Sequence, residues 1–531
     1  MRFRLSFVAF LVLSMLLALP ALSAAAPGMG KGKPVNGARS LGDPLLPQIG
    51  NGGYDVKHYR ISLNYDPATN ELVAAKTTIE AKATKTLKEF SLDFQDLDVS
   101  RVVVDRKPGD GHGSPPAEFE QVDATPDLSP DPAVTQPMKL VVTPHPATRP
   151  QAGKRFTVKV RYSGVPAPIT DADTSIEGWI HACYPLNPPQ TCDGAFVVNE
   201  PIGAQSWFPS NNYPTDKATF DTLIRVPQGK TALGVGEHVG SRTHGDGTVT
   251  WHWHEDDPTA TYLTTATVGD FDYTEGSMTE TSTGRSLPVY DAVDSSATPA
   301  QKTAIQTSLD QLPGQMNFLS DTFGPYPFDS TGAVADRASG VGYALEVQGK
   351  PHYSGGFTSG NPSIGVGTQL HELAHQWWGN SVTLAKWSDI WFNEGWANWS
   401  EWYWDFQTQG GDDPAAIFAD LYANTPDEDW ELAPAILGGD PANLFAFFPT
   451  YQRGAMTVEG YREIVGDQTF FAFAHDLLAD RAHGNISTDQ FIAAAKSASG
   501  FSGARLDLLD DYFQQWLYGE TKPTIVPGDF S

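Results

Sequence analysis

Hydrophobic and polar residues alternate with a period of two through much of the first half of the chain. The clearest runs lie at 59–65, 90–94, 102–104 and 156–162, and turn residues such as Asp66-Pro67 separate them. Successive side chains of a strand point to opposite faces, so short alternating runs between turns predict antiparallel strands with one buried face. We therefore predict an N-terminal antiparallel β-sandwich domain over residues 51–272.

The periodicity changes after about residue 272. Apolar residues then recur every three or four positions, as they do on one face of an α-helix. The stretches with this spacing are 299–321, 366–380, 390–409, 455–465, 488–498 and 506–518. The chain is thus expected to be a multidomain α+β protein, with a mainly helical domain over 273–531 and a boundary between Gly269 and Glu275. Residues 27–50 are rich in glycine, proline and lysine, which predicts a flexible lead-in.

The first 26 residues have the order of a secretory signal peptide. Arg2 and Arg4 form a basic start, residues 5–19 are apolar, and a segment of small residues follows Pro20. A membrane anchor is the alternative, but the apolar run is shorter than the roughly 20 residues that span a bilayer. We expect cleavage of residues 1–26 and a secreted protein, extracellular or periplasmic, without membrane association.

The length, charge and cysteine content of the chain exclude further classes of protein. The chain has 531 residues and a formal net charge of −28, with 63 acidic against 35 basic side chains. Such a length exceeds one ordinary hydrophobic core, and such a charge repels nucleic acid and anionic membranes. The chain has only two cysteines, which are too few for a cysteine-based zinc or iron–sulfur site.

Those two residues, Cys183 and Cys192, flank a proline-rich loop. In an oxidising compartment, a disulfide between them is expected to close this loop. By the loop-entropy relation, such a bond stabilises the folded state by about 2–3 kcal/mol. The alternative is a pair of free thiols, which the export signal disfavours.

The segment most informative about chemistry contains His371, Glu372 and His375. Side chains four residues apart lie on the same face of a helix, so both imidazoles can reach one metal ion. Glu372 is close enough to act as a general base without itself binding the metal. The pattern also arises by chance, but Gly379-Asn380 supplies a helix end at a plausible place.

Glu394 is the candidate third ligand. The interval between His375 and Glu394 accommodates a helix end, a loop and the start of a second antiparallel helix. Two neutral imidazoles and one carboxylate leave zinc one open position for water, which is the catalytic pattern of coordination. The alternative is a salt-bridged Glu394 beside histidines that only pack. Glu401, two helical turns beyond Glu394, is either a hydrogen-bond partner of a zinc-bound histidine or a solvated surface glutamate.

These motifs resemble those of the aminopeptidase N-type zinc metallopeptidases, which belong to the gluzincins. The segments that carry the resemblance are Phe323-Gly-Pro-Tyr-Pro-Phe328, His371-Glu-Leu-Ala-His375-Gln-Trp-Trp-Gly-Asn, Trp391-Phe-Asn-Glu394-Gly-Trp-Ala and Tyr451-Gln-Arg-Gly-Ala455. The resemblance extends over residues 50 to 525. It implies a β N-terminal domain, a thermolysin-like zinc peptidase domain and one zinc ion per chain.

The resemblance also implies that Glu346 and Ala344 contact the substrate. The family's Gly-Ala-Met-Glu-Asn motif corresponds here to Tyr343-Ala344-Leu345-Glu346-Val347, and its glutamate binds the free α-amino group of the substrate. Tyr343 and Val347 replace the family's glycine and asparagine, so the backbone geometry next to the scissile bond is expected to differ.

Two further roles follow from the same resemblance. Glu200 corresponds to a second ligand of the α-amino group, contributed by the β domain. Two carboxylates suit an ammonium group, which forms several charge-assisted hydrogen bonds. Tyr451 matches the family's tyrosine, whose phenol can donate a hydrogen bond to the oxyanion of a tetrahedral intermediate.

The sequence therefore predicts a secreted zinc aminopeptidase that hydrolyses the first bond of peptides with a free N-terminus, with Glu372 as general base. The alternatives are a zinc endopeptidase on the same two helices and a noncatalytic binding protein with a structural metal. We expect a monomer. Many relatives carry a large helical C-terminal domain beyond the point where this sequence ends, so a more open cleft that admits longer peptides is also expected.

Overall fold

A computed structural model describes residues 33–106, 114–184, 190–337, 340–354 and 364–531. The predicted signal peptide, 1–26, lies outside the described residues. No helix in these ranges is long and apolar enough to cross a membrane.

The N-terminal part of the described chain forms three β-sheets. Its strands are β1 (Val35–Asn36), β2 (Tyr54–Asp66), β3 (Glu71–Ala83), β4 (Leu87–Asp93), β5 (Asp98–Asp105), β6 (Glu118–Asp123), β7 (Met138–Thr143), β8 (Arg155–Gly164), β9 (Pro168–Thr170), β10 (Ile176–Tyr184), β11 (Thr191–Val198), β12 (Ala218–Pro227), β13 (Thr231–Ala232), β14 (Glu237–Thr243), β15 (Thr248–Thr259) and β16 (Val268–Gly269). The strand orders are β14-β15-β12-β2-β3-β8-β5, β1-β4-β7-β6 and β13-β16-β11-β10-β9.

Burial along these strands follows the alternation in the sequence. On β2, Tyr59, Ile61 and Leu63 are buried, and they share one core with Phe220 and Ile224 of β12. The β-rich N-terminal fold is therefore confirmed. Two pairs depart from the predicted antiparallel arrangement, since β2 pairs with β12 and β1 pairs with β4 in parallel. The alternation indicates which face of a strand is buried, but it does not indicate whether the neighbouring strand is parallel or antiparallel.

Residues 27–50 were expected to be a flexible lead-in, but of the part that the structure describes, 33–50, it packs the end, residues 43–50, into a core. Leu45, Leu46 and Ile49 are buried in a cluster that also contains Trp387 and Ile390 of the C-terminal part. The prediction is wrong for this segment because it depended on the glycine and proline content alone. It did not take account of the three apolar side chains, which are buried against the C-terminal part.

The C-terminal part contains nine α-helices and seven short or paired strands among the described residues. The helices are α1 (Pro299–Leu309), α2 (Leu312–Phe323), α3 (Val366–Ala374), α4 (Trp391–Trp404), α5 (Pro414–Asn424), α6 (Arg453–Val465), α7 (Asp467–Arg481), α8 (Thr488–Ala498) and α9 (Ala504–Phe513). The strands are β17 (Phe271–Thr279), β18 (Ser286–Asp294), β19 (Thr331–Ala335), β20 (Ala344–Leu345), β21 (His352–Tyr353), β22 (Thr383–Leu384) and β23 (Asn485–Ile486).

The mainly helical character predicted for this part is confirmed, but a five-stranded sheet was missed. Its order is β17-β18-β19-β21-β20, and its first strand begins at Phe271, near the predicted domain boundary. Strand β19 is buried on both faces, and β20 and β21 have two residues each, so none of them shows the period-two pattern. The domain bounds themselves stay a prediction.

A tryptophan-rich core brings the functional helices together. The indole of Trp378, just after α3, stacks on Trp396 of α4 with ring centroids 3.8 Å apart. Helices α4 and α6 approach closely at Gly395, where a Cβ would lie 2.7 Å from the backbone of Gly454. Any larger side chain at Gly395 would push α6 away, so this glycine fixes the distance between the two helices.

Candidate metal centre and active site

Helices α3 and α4 bring three metal-binding side chains together. His371 lies in α3 and His375 caps its C-terminal end in helical conformation, so both imidazoles lie on one face, with ring centroids 4.7 Å apart. Glu394, in the first turn of α4, places its Oε2 3.1 Å from Nε2 of His371 and 3.4 Å from Nε2 of His375. The three donor atoms lie within 4.8 Å of one another, and His375 and Glu394 are buried.

The second nitrogen of each imidazole is already engaged, which directs Nε2 towards the metal position. Nδ1 of His375 donates to the backbone carbonyl of Trp378 over 3.0 Å. Nδ1 of His371 lies 2.6 Å from Oε1 of Glu401. Metal-bound histidines characteristically donate their other N–H to a carbonyl or a carboxylate. The donor set of two imidazoles and one carboxylate therefore fits zinc.

A second group of possible donors overlaps with the first and shares His375. It consists of Glu346, Glu372 and His375, all buried. Zinc in catalytic sites is held by sets such as two histidines and one glutamate, and of these two groups the one with His371, His375 and Glu394 supplies such a set. We therefore assign the metal to that group and leave the other two carboxylates for chemistry.

The contact between His371 and Glu401 leads to a testable prediction about zinc affinity. We expect Glu401→Gln to weaken zinc binding by about 10–100-fold, the range for partners of metal-bound histidines, because a neutral amide polarises the imidazole less. Zinc affinity measured by competition with a chelator checks this result. The matched control is Glu428→Gln, which changes an exposed glutamate in another part of the helical domain. Equal zinc affinities in the two variants would show that Glu401 acts only as a surface residue.

Glu372 lies beside the metal position without belonging to the assigned donor group. Its carboxylate is buried and lines the same cavity as the three donors. Burial raises the pKa of Glu372 to about 8, although the neighbouring imidazoles oppose the shift. A carboxylate with such an affinity for protons is suited to accept one near neutral pH.

Glu394 and Glu372 have different electrostatic environments, although both carboxylates are buried. Burial alone would raise the pKa of Glu394, but His375 and His371 outweigh it and lower that pKa to about 2. Glu394 is therefore the carboxylate that stays ionised beside the imidazoles. Two acids in one cavity with pKa values moved in opposite directions are suited to different roles.

Glu200 and Glu346 reach the cavity from different elements. Glu200 follows β11 in the N-terminal part, and Glu346 follows β20 in the C-terminal sheet. Each has one carboxylate oxygen, Oε1, that is buried without a hydrogen-bond partner. Burial, and then the nearby Glu346, raises the pKa of Glu200 well above its usual range. Two carboxylates that each have a buried oxygen without a partner, on the half-buried Glu200 and the buried Glu346, form a site that a cationic group would stabilise.

Side chains from the metal motif hold the strand that carries Glu346. The side-chain amides of Asn380 and Gln376 donate to the backbone carbonyl of Glu346 over 2.7 and 3.2 Å. The residue after Glu346 is Val347, which is fully buried in the core of the β domain. The sequence pattern gave no indication that these amides connect the two motifs.

Tyr451 enters the cavity from a π-helical turn, Phe447–Gln452, directly before α6. Its ring centroid is 6.1 Å from that of His371. Burial raises the pKa of Tyr451 well above its usual range, so the phenol keeps its proton. A protonated phenol next to the metal position can donate a hydrogen bond.

Arg453, two residues further on, has a structural role. Its buried guanidinium donates to five backbone carbonyls, those of Trp516, Trp430, Leu432, Gln515 and Gly519. These contacts connect the turn before α6 to the segment that follows α9. The arginine at this position thus supports the turn that carries Tyr451 instead of facing the cavity.

The predicted residues line one cavity of about 290 Å³. Its lining from the predicted set consists of Glu200, Ala344, Glu346, His371, Glu372, His375, Glu394 and Tyr451. Sequence reasoning missed three further lining residues, which are Asp173, Ser175 and Phe445, and it noted the fourth, Tyr343, only as a departure from the family motif. A pocket with metal donors, a buried base and a protonated phenol is the site of a metal-dependent hydrolase.

The two cysteines lie outside this cavity. Cys183 and Cys192 face each other across the hairpin of β10 and β11 and form a disulfide bond. The pairing agrees with the expectation from the sequence and leaves no free thiol among the described residues.

Comparison with known families agrees with this architecture. The model of the peptidase M1 N-terminal domain matches residues 55–263, and the model of the peptidase family M1 domain matches residues 366–516. The chain belongs to the M1 family of peptidases. This result confirms the resemblance inferred from the motifs, and with it the zinc-dependent type of site.

Individual relatives extend the comparison. Aminopeptidase M1-C of Oryza sativa subsp. japonica is 29% identical over 357 residues, which are 63% of this chain and 38% of the plant protein. Endoplasmic reticulum aminopeptidase 1 of Homo sapiens is 29% identical over 260 residues, 47% of this chain and 26% of the human protein. The chain thus spans less than half the length of these curated relatives.

A solved structure matches nearly end to end. The crystal structure of an M1 zinc metallopeptidase from Deinococcus radiodurans superposes with a TM-score of 0.74 at 25% identity. The match covers 92% of this chain and 98% of that protein.

Proposed function

We propose that this protein is a secreted zinc aminopeptidase that removes the first residue of peptides with a free N-terminus. The observation that carries this proposal is the pair of carboxylates next to the metal donors, on the half-buried Glu200 and the buried Glu346. Each has an oxygen without a hydrogen-bond partner, and both line the metal cavity. A peptide ammonium placed between them would satisfy both groups, whereas an uncharged chain segment would leave them unpaired.

The positions of these groups explain why the first bond would be cut. With the ammonium held by Glu200 and Glu346, only the first peptide carbonyl lies near His371, His375 and Glu394. Fixing a reactant in this way replaces a random encounter with an oriented one. When bound, zinc supplies Lewis-acid polarisation and lowers the pKa of water.

The proton transfers are assigned to Glu372, and stabilisation of the developing oxyanion is assigned to Tyr451. Glu372 accepts a proton from the attacking water and transfers it to the leaving amine, and its raised pKa suits both steps. The Tyr451 hydroxyl donates a hydrogen bond to the carbonyl oxygen as negative charge develops there. Because both side chains line the cavity, the site favours an enzyme over a noncatalytic metal-stabilised protein.

Removal of the phenol should slow the chemical step. We expect Tyr451→Phe to lower kcat by about 10²–10³-fold, the cost of one oxyanion donor, with a smaller change in KM. Steady-state kinetics on an aminoacyl reporter checks this, with Tyr184→Phe as a control because that exposed tyrosine lies outside the cavity. A kcat close to that of the control would remove Tyr451 from the mechanism.

The exopeptidase assignment is tested with one peptide and its N-acetylated form. We expect stepwise release of residues from the free peptide and no cleavage of the acetylated one, as followed by mass spectrometry. Cleavage of both peptides at internal bonds would instead identify an endopeptidase on the same helices.

Secretion is supported by the signal-like order of residues 1–26 and by the disulfide of Cys183 and Cys192. Expression of the full chain in an exporting host, followed by N-terminal sequencing of the released protein, tests this. Retention of residues 1–26 on a membrane-associated protein would contradict it.

A further inference from the structure

One carboxylate in the cavity has no role in the mechanism above. Asp173 lies in the turn of the hairpin formed by β9 and β10, and it lines the cavity together with Tyr343 and Phe445. Of the other lining carboxylates, Glu394 is assigned to the metal, Glu372 to the proton steps, and Glu200 and Glu346 to the ammonium. The basic side chains in the described lining are His371 and His375, which belong to the metal site.

The turn holds the Asp173 carboxylate in a defined position. Ser175 donates to its Oδ1 twice, from the backbone N–H over 2.9 Å and from the hydroxyl over 2.7 Å. The turn is closed by a hydrogen bond of 2.9 Å from the N–H of Asp171 to the carbonyl of Ser175. Both hydrogen bonds from Ser175 reach the same oxygen, so Oδ2 is the atom available to a ligand.

Two further contacts fix this turn relative to the amine-binding residues. The Tyr343 hydroxyl donates to the backbone carbonyl of Ile176 over 2.7 Å, which joins the hairpin to the strand leading to Glu346. The buried Glu177 carboxylate accepts hydrogen bonds from the N–H groups of Ile202 and Gly203, just after Glu200. The tyrosine that stands where the family has glycine therefore connects Asp173 to Glu346.

From this arrangement we infer that Asp173 selects substrates whose first residue has a basic side chain, arginine or lysine. The inference rests on the proposed aminopeptidase function, because the ammonium held by Glu200 and Glu346 fixes where the first side chain begins. That side chain then extends into the rest of the cavity, where Asp173, Tyr343 and Phe445 lie. A guanidinium or ammonium group would pair with the Asp173 carboxylate, whereas a neutral side chain of the same shape would leave it without a partner.

The test compares aminoacyl reporters that carry arginine or citrulline, which has nearly the same shape but no charge. Because Asp173 is exposed, we expect kcat/KM of the zinc-loaded wild-type chain to be about two- to fivefold higher for arginine, as for one ion pair near the surface. In Asp173→Asn this ratio should fall to about one. The matched control Asp98→Asn removes an exposed carboxylate on strand β5, at the edge of the largest sheet, and should keep the wild-type ratio.

A charge reversal provides a second measurement. Asp173→Lys should favour a glutamate reporter over a glutamine reporter, which a damaged or poorly folded variant would not do. Equal rates for arginine and citrulline in the wild type, or an unchanged ratio in Asp173→Asn, would overturn this inference while leaving the aminopeptidase function in place. If none of the reporters is cleaved by the zinc-loaded wild type, the proposed function is wrong and the preference falls with it.

Discussion

Replacing Glu372 with glutamine is expected to lower kcat by about 10²–10⁴-fold, the contribution of a positioned general base. The amide has nearly the same volume as the carboxylate, so the packing around this buried position is kept. It cannot accept a proton from water at neutral pH, and the proton needed by the leaving amine is then missing. Rates on an aminoacyl reporter measure this loss directly.

The zinc content of the same variant decides which donor group holds the metal. Glu372 belongs to the alternative group with Glu346 and His375, but not to the group of His371, His375 and Glu394. We expect one zinc ion per chain to remain in Glu372→Gln. Loss of zinc together with activity would show that the alternative group is the metal site. A variant with full zinc and full activity would remove Glu372 from the reaction.

The second large effect is expected from the carboxylates that face the substrate's ammonium group. Glu346→Gln should lower kcat/KM by about 10²–10³-fold, the usual cost of removing one partner of a buried charge pair. Glu200→Gln should also lower kcat/KM. The double variant should lower kcat/KM by less than the product of the two single-variant factors, because both carboxylates act on one ammonium group. Kinetics on an unblocked peptide series provides the measurement.

The control for this series is Glu237→Gln, which changes an exposed glutamate on strand β14. It should leave kcat/KM at the wild-type value. If Glu346→Gln and Glu200→Gln behave like the control, the two carboxylates do not bind the ammonium. The proposal that they restrict cleavage to the first bond would then have to be abandoned.

The sequence predicts the metal site well because that site depends on local spacing. His371 and His375 share a helix face by their separation of four, and a short connection returns the chain to place Glu394 beside them. Glu401 follows from the same helical geometry, two turns after Glu394. The contact between Glu401 and His371 needs only that α3 and α4 pack side by side, as the predicted pair of antiparallel helices requires.

Glu200 and Glu346 could be placed only by family resemblance. They come from separate sheets and meet through tertiary packing that no periodicity reveals. Asp173 was not identified at all, since an aspartate in a hairpin turn is ordinary in sequence and acquires a role only through the cavity that it lines. Tyr343 was noted as a departure from the motif, but its hydrogen bond to the β9–β10 hairpin could not be foreseen.

The secondary structure shows the same difference between features that the sequence reveals and features that it does not. Strands with one buried face, such as β2 and β12, are visible as alternation, whereas the fully buried β19 is not. The stretch 488–498, predicted from its apolar spacing, coincides with α8, and a capping box of Ser487 and Gln490 fixes the start of this helix. The predicted helix over 299–321 is instead two helices, α1 and α2, which separate near Asp310.

Elemental analysis of the purified full chain tests the central claim most directly, that His371, His375 and Glu394 hold one zinc ion. We expect one zinc per wild-type chain and a large loss of bound zinc in His375→Ala, with correct folding verified by circular dichroism. A wild-type chain without zinc, or a His375→Ala variant that still binds one zinc tightly, would contradict it.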